Sequence, residues 1–208
     1  MAALSDTEIF AAINSGELSV EPLDPDNVQL GSIDLTLAAK VNVLKPQGDA
    51  IDPAGGDFGR YLDTVDITGG YILEPGHFVT GHSAEHIRMP NNMNGLLANH
   101  NSMVRVGLDA AVSCYINPGF HGNKIIVVRN MGSRPLKLTP GLRICQLVIF
   151  RLGAETIRTY DSRHDTDELN EYIRQRLNAD MSTNGYHMDT SLAEFMNQRI
   201  AEAARATQ

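Results

Sequence analysis

A mainly β domain, opened by one short helix and followed by a helical C-terminal extension, is the fold class this sequence predicts. Three observations carry it. Between Ile33 and Leu152 the chain breaks into short runs rich in Val, Ile and Leu, and Pro-Gly steps at 75-76, 118-119 and 140-141 separate them as tight turns do. Ahead of that region Ser5 and Glu8 have capping-box spacing. Beyond Tyr160 the apolar residues recur instead at three- and four-residue intervals. With 208 residues and 42% hydrophobic composition the chain can bury one substantial core, so one domain with a tail is expected.

In the first element the Ser5 hydroxyl serves an exposed helix amide while the Glu8 carboxylate reaches back. Ile9, Phe10 and Ile13 then share one face until Gly16 ends the helix. The strand region follows. Within it, residues 45 to 70 carry Gly48, Gly55, Gly56, Gly59, Gly69 and Gly70 among scattered acids, which predicts a long excursion from the β body. The extension opens with Glu168, Leu169, Tyr172, Ile173, Arg176 and Leu177 at helical spacing. A second helix follows Ser191, whose capping partner is Glu194, and its stripe is Leu192, Phe195, Met196 and Ile200. The boundary is drawn at 1–159 for the β domain and 160–208 for the helices. Isolated helices of this length are marginal in water, so their stripes need a surface: their own β body, a neighbouring subunit or a protein partner.

Composition excludes several function classes. A formal charge of −8 argues against a nonspecific nucleic-acid binder, whose affinity rests on clustered Lys and Arg, though a single nucleotide can still use a local basic pocket. The two cysteines, Cys114 and Cys145, fall in predicted strands without C-x-x-C spacing. They read as buried small hydrophobes in a reducing compartment rather than as a disulfide, zinc site or nucleophile. No apolar run approaches the roughly 20 residues that span a bilayer, and the opening residues lack a secretory signal pattern, so a cytoplasmic protein without a membrane partner is expected. Among the histidines, His77, His82 and His86 lie close together and His82 and His86 share a face of a strand, but no zinc-ligand signature is present. P-loop, Rossmann and G-x-S-x-G patterns are also missing from the sequence.

Three segments carry more specific information. Asn101-Ser102-Met103-Val104-Arg105-Val106-Gly107-Leu108 is followed by Tyr115-Ile116-Asn117-Pro118-Gly119-Phe120-His121-Gly122 and then by Pro140-Gly141-Leu142-Arg143-Ile144-Cys145-Gln146-Leu147. In this order they resemble the R-S-S-L-x-R-x-G-L, I-D-P-G-[FW]-x-G and P-G-M-R-I-G-Q-L motifs of the dCTP deaminase and dUTPase family. Leu4-Ser5-Asp6, the stretch Gly31 to Leu37 and the stretch Leu73 to Val79 resemble dCTP deaminase segments too, so the resemblance covers roughly residues 4 to 152.

The resemblance implies a distorted dUTPase-like β-barrel of jelly-roll type, assembled as a homotrimer with nucleotide sites between subunits. It implies a zinc-free deamination in which a glutamate acts as general base while water attacks C4 of cytosine. Counting from Gly119, that glutamate's slot here is Val127, and no Asp or Glu occurs from Ala110 to Ala154. The dUTPase base, an aspartate, corresponds to Asn117. Neither a valine nor an amide moves a proton near neutral pH. Ser102 and Arg105 match the family's triphosphate contacts, whereas His100 replaces an arginine, a permanent bidentate donor, by a group mostly neutral at pH 7. Gln146 matches a family glutamine and also suits a structural role. In the C-terminal closing segment Glu171-Tyr172 and Gln175 loosely parallel a Lys-Tyr and a later Gln. Tyr172 is therefore a nucleotide contact by resemblance and an apolar helix residue by spacing. Mg²⁺ is expected only as an ion carried by the nucleotide.

Three functions stay open. One is a trimer that binds dCTP or dUTP without standard deaminase activity, a catalytically silent relative in pyrimidine deoxynucleotide metabolism. Another is an active deaminase or diphosphatase of changed specificity using His100 or His121. The third is a structural or interaction trimer that displays its C-terminal helices.

Overall fold

The computed structural model describes residues 2–46, 48–52, 58–112, 114–156 and 160. The predicted C-terminal helices, with Glu171, Tyr172 and Gln175, lie outside them. In chain order the elements are β1 (Ala2–Ala3), α1 (Asp6–Asn14), β2 (Ser19–Glu21), β3 (Val28–Gln29), β4 (Ser32–Leu44), β5 (Leu62–Asp66), β6 (Tyr71–Leu73), β7 (Phe78–Arg88) and β8 (Met93–Asn99). They continue with α2 (Asn101–Val104), β9 (Leu108–Asp109), β10 (Tyr115–Ile116), β11 (His121–Asn130), β12 (Leu136–Leu138) and β13 (Arg143–Arg151).

The β prediction holds, and the expected capping box is formed. Glu8 N–H donates to Ser5 Oγ at 3.4 Å and Ser5 N–H donates to the Glu8 carboxylate at 2.8 Å. The buried side of α1 differs from expectation. Ile9 and Ala12 are buried and Ile13 packs against the core, whereas Phe10 is exposed. Residue 10 is only one step of about 100° from residue 9, so it cannot share the narrow face that residues 9, 12 and 13 define.

The strands form one large, strongly curled antiparallel sheet in the order β10-β8-β13-β4-β7-β11-β9, with β1, β2, β3 and β5 attached at its sides and β12 pairing β6 separately. The main-chain ladder does not close on itself among the described residues. Side chains bridge the seam. Asn99 at the end of β8 donates to Asp109 on β9 at 2.8 Å and accepts from Ala110 N–H at 2.7 Å. Lys124 on β11 donates to the Tyr115 carbonyl on β10 at 2.9 Å.

The Pro-Gly steps build three equivalent turns. His77 N–H reaches the Glu74 carbonyl, Phe120 N–H that of Asn117 and Leu142 N–H that of Thr139. Gly76, Gly119 and Gly141 have φ of 78°, 76° and 77°, which a type II turn requires at its third residue and which glycine supplies without Cβ strain. The predicted excursion over 45–70 is shorter than expected, because Leu62–Asp66 returns to pair with β4. The core lies inside the curl. Along β7 and β11 buried residues alternate strictly with outward ones, so Val79, Ile87, Ile126 and Val128 face in and the intervening residues form an outer sheet face.

Candidate functional site

Asp34 is the centre of the candidate site. It lies in β4 within the run Ser32-Ile33-Asp34-Leu35, all buried, and its side chain is only 2% exposed. A carboxylate in such a place needs partners. Gln146, directly opposite on β13, donates from Nε2 to Oδ1 at 3.1 Å, and Gln29 from β3 donates to Oδ2 at 3.3 Å. Two groups of positive or potentially positive charge flank Oδ2: Nε2 of His100 at 3.7 Å and the guanidinium of Arg143 at 4.0 Å.

His100 follows β8 directly and is the N-cap of α2. Its Nδ1 lies 2.6 Å from Ser102 Oγ and accepts from Ser102 N–H at 3.4 Å. The imidazole therefore connects an exposed hydroxyl to a buried carboxylate. Thus three of the residues singled out from sequence, His100, Ser102 and Gln146, gather around Asp34.

The other candidates stand apart. Arg105 caps the C-terminal end of α2 and is exposed. It lines an open groove of about 690 Å³ with Val106, Gly107, Ser133 and Arg134, which sets two guanidinium groups on one depression. Asn117 sits half-buried in the second Pro-Gly turn, where its carbonyl holds Phe120 N–H. Val127 occupies the outward face of β11 with Thr80 as its neighbour on β7 and, one strand further, Asn42 on β4. Among the described residues, no carboxylate stands in that row. His82, Asn123 and Lys40 line a depression of about 420 Å³ on the same outer face. Burial holds the His82 pKa below its ordinary value.

A second buried polar group lies on the core side of β7. Glu85 accepts from Thr36 N–H at 3.0 Å and from Thr36 Oγ1 at 2.6 Å, tying β7 to β4. Burial, then the charges of Glu85 and Asp34, push the Cys145 thiol up to about 12, so it stays protonated and inert. Burial also holds Lys124 below its ordinary pKa. Cys145 is the buried small hydrophobe expected, whereas Cys114 is exposed and precedes β10. The apolar neighbours of Cys114 carry a strand pattern that the chain takes up only from Tyr115.

Asp34, Gln29, Arg143, Arg134 and Glu85 were not singled out from sequence. For Asp34 a signal existed: one acid inside the apolar run Ile33 to Leu37 is a buried charge in need of partners. His86 and His121 do meet, with ring centroids 4.4 Å apart in an edge-on arrangement.

Comparison with known proteins agrees with this architecture. The dCTP deaminase-like family matches residues 3–152. A dUMP-forming dCTP deaminase of Thermobifida fusca is 36% identical over 76% of this chain and 83% of its own length. One of Persephonella marina is 30% identical over 77% of this chain and 90% of its own length. The crystal structure of 2'-deoxycytidine 5'-triphosphate deaminase from Agrobacterium tumefaciens superposes with a TM-score of 0.59 at 25% identity; the match covers 73% of this chain and 46% of that one. Fold, motif order and these relatives agree: the chain belongs to the dCTP deaminase-like family.

Proposed function

We propose that this protein is a homotrimer, with a dUTPase-like jelly-roll barrel in each subunit, that binds a pyrimidine deoxynucleoside triphosphate and lacks the family's standard deamination step. The observation that carries the reading is the contrast between two places. At Val127 the outward sheet row offers valine, threonine and asparagine, none of which is a general base. Around Asp34, by contrast, Gln146 donates to the carboxylate and His100 approaches it at 3.7 Å while bonded to Ser102, and Arg105 with Arg134 supplies positive charge in a separate groove.

The ligand class is dCTP or dUTP. Mg²⁺ enters with the triphosphate, because Asp34, the cluster's carboxylate, already accepts from two glutamines and leaves phosphate oxygens and water as the ion's natural ligands. The domain boundary at 159, the part of Tyr172 in closing the site and the docking of the C-terminal helices against a subunit or a protein partner belong to this proposal as well. An active enzyme of changed specificity is the second reading, favoured by the imidazole that bridges Ser102 and Asp34.

Calorimetric titration with each triphosphate and Mg²⁺, beside a chromatographic turnover assay, separates the readings. Binding with turnover far below about 1 per second supports a binding protein, and turnover at an ordinary enzymatic rate transfers the assignment to the second reading. Light scattering is expected to give three times the chain mass of 22.7 kDa. Absence of binding in a folded trimer leaves the interaction-protein function.

A further inference from the structure

We infer that anion binding at Ser102 is coupled to the uptake of one proton by His100, so that the site takes a triphosphate together with a proton from solvent. The inference rests on the nucleotide-binding reading above, and it follows from which atoms can donate.

The Ser102 main-chain N–H points at His100 Nδ1, 3.4 Å away, and an N–H can only donate. Nδ1 therefore presents its lone pair, and the ring hydrogen of the neutral imidazole resides on Nε2, the nitrogen that faces Asp34. With Nδ1 acting as acceptor, the 2.6 Å contact to Ser102 Oγ is a bond donated by the hydroxyl. The hydroxyl's one hydrogen is thus committed to the ring. Toward solvent, Ser102 then shows only lone pairs, which repel a phosphate oxygen.

Adding a proton at Nδ1 reverses the polarity. The ring becomes the donor to Oγ, and the hydroxyl hydrogen is released to turn to a phosphate oxygen. The disturbance is small, since the capping bond that is given up is the long one at 3.4 Å. One N–H bond forms at Nδ1 as the buffer acid gives up that proton to become its conjugate base, and no other bond changes.

The surrounding charges set how readily this happens. From β4, the buried Asp34 carboxylate at 3.7 Å from Nε2 favours the imidazolium. From β13, Arg143 shares the same carboxylate oxygen at 4.0 Å and opposes it, while Gln146 and, from β3, Gln29 are neutral. Asp109 of β9 is tied to Asn99, the residue before His100, and Arg105 on α2 adds positive charge. An arriving triphosphate brings several negative charges and tips the balance toward the imidazolium. Arginine in this position has no such coupling, because it is charged throughout the working pH range.

Calorimetric titration of the full chain with dCTP or dUTP in saturating Mg²⁺, in buffers of low and high ionisation enthalpy, measures the protons taken up. His100→Gln provides the reference, since it subtracts any proton bound by the nucleotide itself. Wild-type protein is expected to exceed His100→Gln by up to about one proton per site, with affinity rising by up to about tenfold per pH unit as the pH falls. His100→Arg is expected to bind without the excess uptake and with no such pH trend, and it serves as the second variant if His100→Gln does not fold. Equal uptake by wild type and variants overturns the coupling and leaves the binding function standing. Absence of binding in wild type at both pH 6.5 and pH 8 overturns both.

Discussion

Replacing Asp34 by alanine tests whether the buried cluster organises the site or merely decorates it. Two hydrogen bonds to a charged acceptor are lost, from Gln146 at 3.1 Å and Gln29 at 3.3 Å. Such bonds contribute roughly 1.5–3 kcal/mol each, and these lengths place both near the lower figure, about 3 kcal/mol together. Arg143 and His100 add little, since their side chains are 45% and 25% exposed and pairs in that setting contribute under about 1 kcal/mol. Against this, the buried charge no longer has to be desolvated, which offsets part of the loss. The expected net cost is therefore about 2–4 kcal/mol, or on the order of 5–15 °C in Tm for a domain of this size. Asp34→Asn keeps an acceptor for one glutamine but turns an NH2 group toward the remaining donors, so an intermediate loss of about 1–2 kcal/mol is expected. Urea unfolding at fixed protomer concentration measures both, and a double-mutant cycle with Gln146→Ala isolates the bond across β4 and β13. A loss below about 0.5 kcal/mol for Asp34→Ala refutes the reasoning, because it places the carboxylate's partners in water rather than in each other's reach.

Other perturbations address separate parts of the fold. Arg151, then Asn92, hold the Glu17 pKa down to about 2 from 4.5, so the Glu17–Arg151 pair contributes fully above about pH 4.5 and its contribution disappears as pH falls toward 2. Both side chains are substantially solvated, so Arg151→Leu is expected to cost at most about 1 kcal/mol at pH 6 and progressively less as the pH falls through 2, as read by chemical denaturation. Iodoacetamide followed by mass spectrometry should modify exposed Cys114 and spare Cys145, whose thiol is buried and pushed up to about 12, until the protein is unfolded; comparable rates at the two thiols contradict the packing. Gly107 has φ of 85°, and a Cβ there falls 2.6 Å from the Gly132 backbone, so Gly107→Ala is expected to destabilise by at least about 2 kcal/mol in a thermal melt.

Local signals in the sequence were legible where one residue type has one physical use. The Ser5–Glu8 box and the three Pro-Gly turns stand as read, and His82 and His86 share the outward face of β7. Helical spacing identifies a face only to within a residue, so Phe10 falls outside the buried one, and Cys114 is exposed just ahead of β10. The site was legible as a set of motif positions but not as an arrangement. Asp34 lies 112 positions from Gln146, and the pairing that joins them is a register between distant strands which no local pattern contains. Arg134 and Arg105 likewise share a groove only because the turn after β11 returns against the end of α2.

Strand β4 belongs to two neighbourhoods at once. Its first half lies against β13 and β3, where Asp34 anchors the cluster, and its second half lies against β7 and β5, where Asn42 stands in the row that ends at Val127. Between them the pairing with β7 slips from Leu37 to Val41, and Thr36 is clamped by the Glu85 carboxylate. The slip lets one covalent strand serve two pairings, with the register to β7 set separately on either side of it. The clamp at Thr36 holds β4 to β7 on the side of the hydrogen-bonded end. Substitutions at Ala38 and Ala39, within the slip, are where the two ends become mechanically answerable to each other.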